Sequence, residues 1–162
     1  MPLRHDIAYA TIANEGHRPK GAGIIGIVNE VGKVVFKTST LANLKLPWSR
    51  DFGLQASRYM SDLLLLSVSE GGTGTRAAHN LPKLLIAGKT GTIDDFTGAW
   101  FIGYAEPKNG FAKVSNRLVI GVWIGNDIPK KSPGLYGGTA PARVFNELVR
   151  DISEYTRYFE QG

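Results

Sequence analysis

The sequence predicts an α+β domain, an antiparallel sheet flanked by helices. Three observations lead there. Strand-like apolar runs at residues 84–92, 99–106 and 118–125 follow one another with only short breaks, the pattern of an antiparallel meander. Helix-periodic segments stand before and after these runs. No repeat, low-complexity stretch or Pro/Gly-rich linker divides the 162 residues, so residues 1–162 read as one compact unit.

The elements follow in order. From Pro2 to Asn14, Leu3, Ile7, Ala10 and Asn14 recur at helical spacing, with Pro2 at the start and Gly16 just past the end. Ile24-Ile25-Gly26-Ile27-Val28 and Val34-Val35-Phe36 predict two short strands joined by a turn around Asn29 to Lys33. Residues 38–52 contain Pro47 and read as a connection. A second helix is expected from about Leu54, with Leu54, Met60, Leu63, Leu64 and Val68 on its apolar face and Gly71-Gly72 closing it. A small-residue loop then leads to the three strands. The last element, residues 141–158, carries Phe145, Leu148, Val149 and Ile152 on one stripe that continues to Phe159; Thr139 or Ala140 marks its entry, and it should pack across the sheet.

Composition narrows the function classes. With 43% hydrophobic and 20% charged residues the chain has the makeup of a soluble globular domain, and a chain of this length buries a sizeable core without disulfides. There is no cysteine, which removes thiol nucleophiles, thiolate metal sites and redox motifs. The net charge of +5 comes from dispersed residues. Even Lys130-Lys131 sits between Pro129 and Pro133 in what reads as a solvated loop, so no nucleic-acid partner is expected. The apolar stretches fall far short of the ~20 residues that span a bilayer, and no apolar segment of a secretory signal follows Met1, so this segment itself is not expected to contact a membrane.

Two motif matches fail their structural test. Gly21-Ala22-Gly23-Ile24-Ile25-Gly26 spells GxGxxG, but a dinucleotide site needs a strand before it and a helix after it, and here strand-like residues follow. Gly88-Lys89-Thr90 mimics the end of a phosphate-binding loop, yet Lys83 stands where that motif needs glycine. His5, His17 and His79 are too dispersed for a metal site or a hydrolase triad, and no metal or cofactor is expected. Asp94 and Asp95 are adjacent and read as a turn rather than an acid/base pair. Trp100, Phe101, Tyr104 and Trp123 read as core and sheet-face support. A serine nucleophile with a recognisable context is absent: the sequence has no GxSxG, no Ser-x-x-Lys and no Ser-x-Asn.

Ala87-Gly88-Lys89-Thr90-Gly91-Thr92, followed by Asp94-Asp95-Phe96-Thr97-Gly98-Ala99-Trp100-Phe101-Ile102-Gly103-Tyr104, passes where those fail. It resembles the third catalytic motif of class A penicillin-binding proteins together with the tryptophan-containing strand that follows it there. Ala8-Tyr9-Ala10, Ala13-Asn14-Glu15-Gly16, Gly72-Thr73-Gly74-Thr75, Gly121-Val122-Trp123-Ile124-Gly125-Asn126-Asp127 and Gly137-Gly138-Thr139-Ala140-Pro141-Ala142 extend the resemblance over nearly the whole chain. It implies the C-terminal portion of a penicillin-binding transpeptidase domain, with a β-lactamase/transpeptidase-like fold. The family's Ser-x-x-Lys and Ser-x-Asn motifs would lie N-terminal to Pro2. Ile93 departs from the threonine more usual after the tetrad.

The resemblance implies a substrate ending in a D-alanyl-D-alanine carboxylate, the peptidoglycan stem peptide, or a β-lactam that imitates it. The residue types suit that chemistry. Lys89 supplies a point charge, and Thr90 and Thr92 supply hydroxyls on one side of the strand while Lys89 and Gly91 face the other. Gly91 leaves room for a peptide laid along the strand edge. By analogy Lys89 and Thr92 act in catalysis, the Thr92 backbone N–H forming half of an oxyanion hole whose other half belongs to the serine outside this sequence. The whole protein is then expected to be a bifunctional peptidoglycan glycosyltransferase/transpeptidase in the cytoplasmic membrane, with this segment on the periplasmic side; the segment alone should be inactive. The alternatives are a non-catalytic remnant or binding module that keeps the carboxylate site, or a fragment of a related D,D-carboxypeptidase or serine β-lactamase.

Overall fold

A computed structural model describes residues 2–21, 24–38, 43–44, 47–108, 117–126 and 130–160. Parts of two sequence motifs lie outside the described residues: Ala22-Gly23 of the GxGxxG-like run, and Asp127 with Pro129 near the basic pair.

Helix α1, Pro2–Ala13, ends where Glu15 and Gly16 turn to positive φ (54° and 84°) and the Gly16 N–H returns to the Thr11 carbonyl at 2.9 Å. The chain then enters β1 (Arg18–Pro19) and the hairpin strands β2 (Gly26–Val28) and β3 (Val34–Lys37). Asn29 organises the hairpin turn, its Oδ1 accepting from the Val31 and Lys33 amides. The stretch expected as a plain connection contains a short strand β4, Asn43–Leu44, paired with β1.

Helix α2 spans Arg50–Val68, starting four residues before the expected position. Ser49 explains the early start, since its hydroxyl accepts the Phe52 amide at 3.2 Å, with Asp51 favourably placed in the first turn. Its buried stripe keeps the expected Leu64 and Val68, but Gly53 and Ser57 also face inward, while Met60 and Leu63 are exposed. The helix packs against β5 of the sheet, against α1 and against the Thr75–Ala78 turn, and these contacts select the stripe.

Strands β5 (Leu84–Thr92), β6 (Gly98–Pro107) and β7 (Leu118–Gly125) form the expected antiparallel meander, order β5-β6-β7, with Leu84 opposite Pro107 and Trp100 opposite Trp123. Alternation sends Leu84, Ile86, Phe101, Ala105, Ile120 and Val122 to one face, where Ala142, Phe145 and Val149 of helix α3 (Ala140–Tyr155) complete the main core. The Phe101 and Phe145 rings meet edge-on at 4.8 Å, each fully buried and each contributing roughly 1.5–3 kcal/mol of hydrophobic stabilisation. On the opposite face Ala87, Tyr104 and Val119 pack against Tyr9, Ile12 and Ala13 of α1 and Leu64 of α2.

The sequence stripe of α3 holds for Phe145 and Val149 but not for Leu148, which is exposed; the helix stops at Tyr155 and Phe159 folds back into the core beyond it. Trp123, expected as sheet-face support, is 44% exposed, its ring lying beside Trp100 and against Gly98 and Gly125.

Candidate active site

The site is the second half of β5. In the first half, Leu84 to Gly88 are apolar and largely buried; from Lys89 onward the strand emerges into solvent. Two backbone bonds fix which groups reach its open edge. The Lys108 amide donates to the Lys83 carbonyl (2.9 Å) and the Ile93 amide to the Gly98 carbonyl (2.8 Å), so odd-numbered positions of β5 direct N–H and C=O toward β6. Thr90 and Thr92 therefore present their N–H and C=O groups on the side where β5 has no strand partner among the described residues.

Side-chain alternation places Thr90 and Thr92 on the α3 side and Lys89 on the α1 side, as the sequence pattern predicts. The structure adds a contact that alternation does not suggest. Lys89 curls around the strand edge, its Nζ donating to the Thr90 carbonyl (3.0 Å) and to Thr90 Oγ1 (3.2 Å). Charge and hydroxyl thus converge at one point. Among the described residues no carboxylate lies within ion-pair distance of Lys89.

Sequence reasoning missed the frame around these residues. Thr73 Oγ1 stands 2.8 Å from Thr90 Oγ1, and the Gly137 amide donates to Thr92 Oγ1 at 3.4 Å. Gly137 and Gly138 form a strap across the strand. A Cβ at Gly137 would lie 2.7 Å from the Gly91 nitrogen and closer still to the Trp100 carbonyl, and one at Gly138 would fall on the Thr73 carbonyl. Arg76 reaches the strap as well, its Nη1 donating to the Gly138 carbonyl at 3.3 Å. The Thr75–Ala78 turn that carries Arg76 is held by the buried Asn146 of α3, whose Nδ2 donates to the Ala77 and His79 carbonyls at 3.1 and 2.8 Å. The only sequence signals for this frame were the glycines flanking Thr73 and the Gly137-Gly138 pair.

The turn expected at Asp94 and Asp95 is present. Asp94–Phe96 is a tight turn with Asp95 at φ 58°, and Lys131 pairs with Asp95 at 2.8 Å on the surface. His5 packs its ring on Trp100 at 5.9 Å, on the α1 side. Phe101 and Tyr104 are buried supports, and burial pushes the Tyr104 hydroxyl above the ordinary tyrosine range. Among the described residues no group of three His, Asp or Glu could hold a metal ion.

An exposed lysine, two hydroxyls and outward backbone N–H groups on a free strand edge suit an extended peptide that ends in a carboxylate. No protein-family model matches the chain. Among individual proteins, penicillin-binding protein 1A of Aquifex aeolicus is 37% identical over 133 residues, 82% of this chain and 16% of that protein. Penicillin-binding protein 1A of Clostridium botulinum is 31% identical over 93% of the chain, and penicillin-binding protein 1B of Escherichia coli is 26% identical over 91%. The chain spans about one sixth of the length of these relatives, 15–16% of each. Among solved structures it resembles the D,D-transpeptidase domain of a peptidoglycan glycosyltransferase from Eggerthella lenta, with a TM-score of 0.56 and 26% identity over 90% of this chain and 31% of that one. Penicillin-binding protein A from M. tuberculosis, solved as an imipenem acyl-enzyme complex, shares the fold with a TM-score of 0.61 and 21% identity over 92% of this chain and 30% of that one.

Proposed function

Because the chain belongs to the penicillin-binding protein family, we propose that it supplies the carboxylate-binding strand and half of the oxyanion hole of a serine D,D-transpeptidase that cross-links peptidoglycan stem peptides. The observation that carries this reading is the open edge of β5, where Lys89 Nζ, Thr90 Oγ1, Thr92 Oγ1 and the outward Thr92 N–H gather. A peptide ending in D-alanyl-D-alanine adds along this edge as a further strand. Gly91 leaves it room. The terminal carboxylate accepts hydrogen bonds from the Thr90 and Thr92 hydroxyls in the field of Lys89, as does the carboxylate of a β-lactam.

With the carboxylate held there, the scissile carbonyl is directed to the Thr92 N–H, which stabilises the oxygen as negative charge develops on it. The attacking serine and the second N–H donor come from the Ser-x-x-Lys segment of a longer polypeptide, since this sequence contains no such motif. Lys89 then also faces the hydroxyl of the Ser-x-Asn segment and assists proton movement. The reaction needs no metal or cofactor. By this reading the longer protein is a membrane-anchored glycosyltransferase/transpeptidase with this segment outside the cytoplasmic membrane. No described helix here is long and apolar enough to cross it.

Binding by this chain alone should be weak. Two or three charge-assisted bonds of ~1.5–3 kcal/mol each offset an association cost of ~4–15 kcal/mol, which places dissociation constants at about millimolar or weaker. The direct test is intact-mass spectrometry after incubation with penicillin. The expected spectrum shows no covalent adduct, because none of Lys89, Thr90 and Thr92 is an activated nucleophile. One drug mass attached to a serine of this chain would overturn the division of labour proposed here.

A further inference from the structure

Thr90 Oγ1 has three neighbours to satisfy and only one proton. Lys89 Nζ, which can only donate, approaches it at 3.2 Å, and Thr73 Oγ1 approaches it at 2.8 Å. The third neighbour is the ligand carboxylate, which can only accept. If Thr90 spends its proton on Thr73, an arriving carboxylate meets a bare lone pair. If Thr73 donates instead, both lone pairs of Thr90 Oγ1 are filled by protein donors and its O–H is left pointing to the strand edge.

Thr92 shows the same logic without ambiguity. The Gly137 N–H can only donate, so Thr92 Oγ1 accepts from it and keeps its own proton for the ligand. Resting on the carboxylate-site reading above, we propose that Thr73 is a positioning residue: it donates to Thr90 Oγ1 and thereby makes Thr90, like Thr92, a donor to the substrate carboxylate.

Thr73 is well held for this role although its side chain is exposed. The next residue, Gly74, is buried, and its amide donates to the Ser67 carbonyl of α2 at 2.9 Å. The Thr73 carbonyl lies against Gly138, where even a methyl group would displace it, and Arg76 fixes Gly138 from the other side. The hydroxyl pair joins strand β5 to the turn that follows α2, and the backbone bond from Gly74 to Ser67 ties that turn to the helix.

The two polarities predict opposite signs for one substitution. Thr73→Val removes a donor if the proposal holds; Thr90 keeps its proton but loses the orientation and polarisation that the bond gives it, and the carboxylate should bind roughly two- to tenfold more weakly. Under the reverse polarity Thr73→Val releases the Thr90 proton, and the carboxylate binds more tightly. The experiment is an NMR titration of the whole chain, followed at the Gly91 and Thr92 amides, with N-acetyl-D-alanyl-D-alanine and with its C-terminal amide. The expected outcome is weaker acid binding in Thr73→Val, parental binding in Thr73→Ser, and unchanged response to the amide ligand in both. Equal or tighter acid binding in Thr73→Val, or failure of Thr73→Ser to restore it, overturns the role of Thr73 while the carboxylate site stands. A parent chain that does not distinguish acid from amide overturns the site itself, and the role of Thr73 with it.

Discussion

The two halves of β5 share one strand and one partner, β6, yet they do opposite things. Leu84 to Gly88 is anchored between two cores, Leu84 and Ile86 against α3 and Ala87 against α1 and α2. Lys89 to Thr92 keeps the same register but leaves cover, so its polar groups lie at an edge with no strand partner among the described residues. The difference teaches how a site on a strand is made rigid without being buried: the closed half supplies the packing energy, and the open half inherits its geometry through continuous backbone. The Gly137-Gly138 strap packs closely across this open half.

The sharpest way to break this division is to weaken the closed half. Phe101 of β6 lays its ring against Gly88, at the end of the closed half, and is fully buried against Phe145. Phe101→Ala should cost ~3–5 kcal/mol of stability by urea denaturation. A loss below about 1 kcal/mol would mean that the core does not anchor the strand.

In the open half the expected effect moves from stability to chemistry. In a longer penicillin-binding protein that carries this segment, Lys89→Ala should slow acylation by a β-lactam ~10- to 150-fold, the equivalent of one charge-assisted bond. The midpoint of unfolding of the isolated chain should hardly move, because Lys89 is exposed and its hydrogen bonds among the described residues go to Thr90. Acylation at the parental rate would remove Lys89 from the mechanism.

Gly137→Ala probes the seam between the two. The added methyl meets the Trp100 carbonyl and the Gly91 nitrogen, so the strap must lift. We expect ~1–3 kcal/mol of destabilisation together with a large shift of the Thr92 amide resonance. A spectrum unchanged around Gly91 and Thr92 would show that the strap does not bear on the site.

The smallest effect should come from outside both halves. Asp6 of α1 points a buried, unpartnered Oδ1 at Gly121 of β7, and desolvation raises its carboxyl above the ordinary aspartate range, outweighing the lowering by His5. The folded state therefore holds this proton more tightly than the unfolded one. The Asp6 contribution to stability is greatest with the group protonated and is lost as pH rises from the usual aspartate range through the folded pKa. Asp6→Asn should flatten that part of the stability profile. Parallel profiles for parent and variant would remove the Asp6 contribution.

Much of this was legible in the residues. The three sheet strands begin and end within a residue of their expected limits, because each is a β-favouring run bounded by turn formers such as Asp94-Asp95. The α1 terminus was legible for a similar local reason, the Gly16 turn. Helix α2 was misjudged at both levels. Its start depends on the Ser49 cap, and its buried face is chosen by packing against β5, α1 and the Thr75–Ala78 turn rather than by the richest apolar stripe.

The sequence by itself determined the α+β class, the meander and the Lys89-Thr90-Gly91-Thr92 strand, since these follow from the period of two along a strand and from the chemistry of adjacent residues. Tertiary structure alone decided what surrounds that strand. Thr73 meets Thr90 across 17 positions, Gly137 meets Thr92 across 45, and Arg76 meets Gly138 across 62. Such contacts have no local period to betray them. They exist because the packing of α3 and α2 on the sheet brings the Gly72–Ala78 stretch and the glycine strap to the open end of β5.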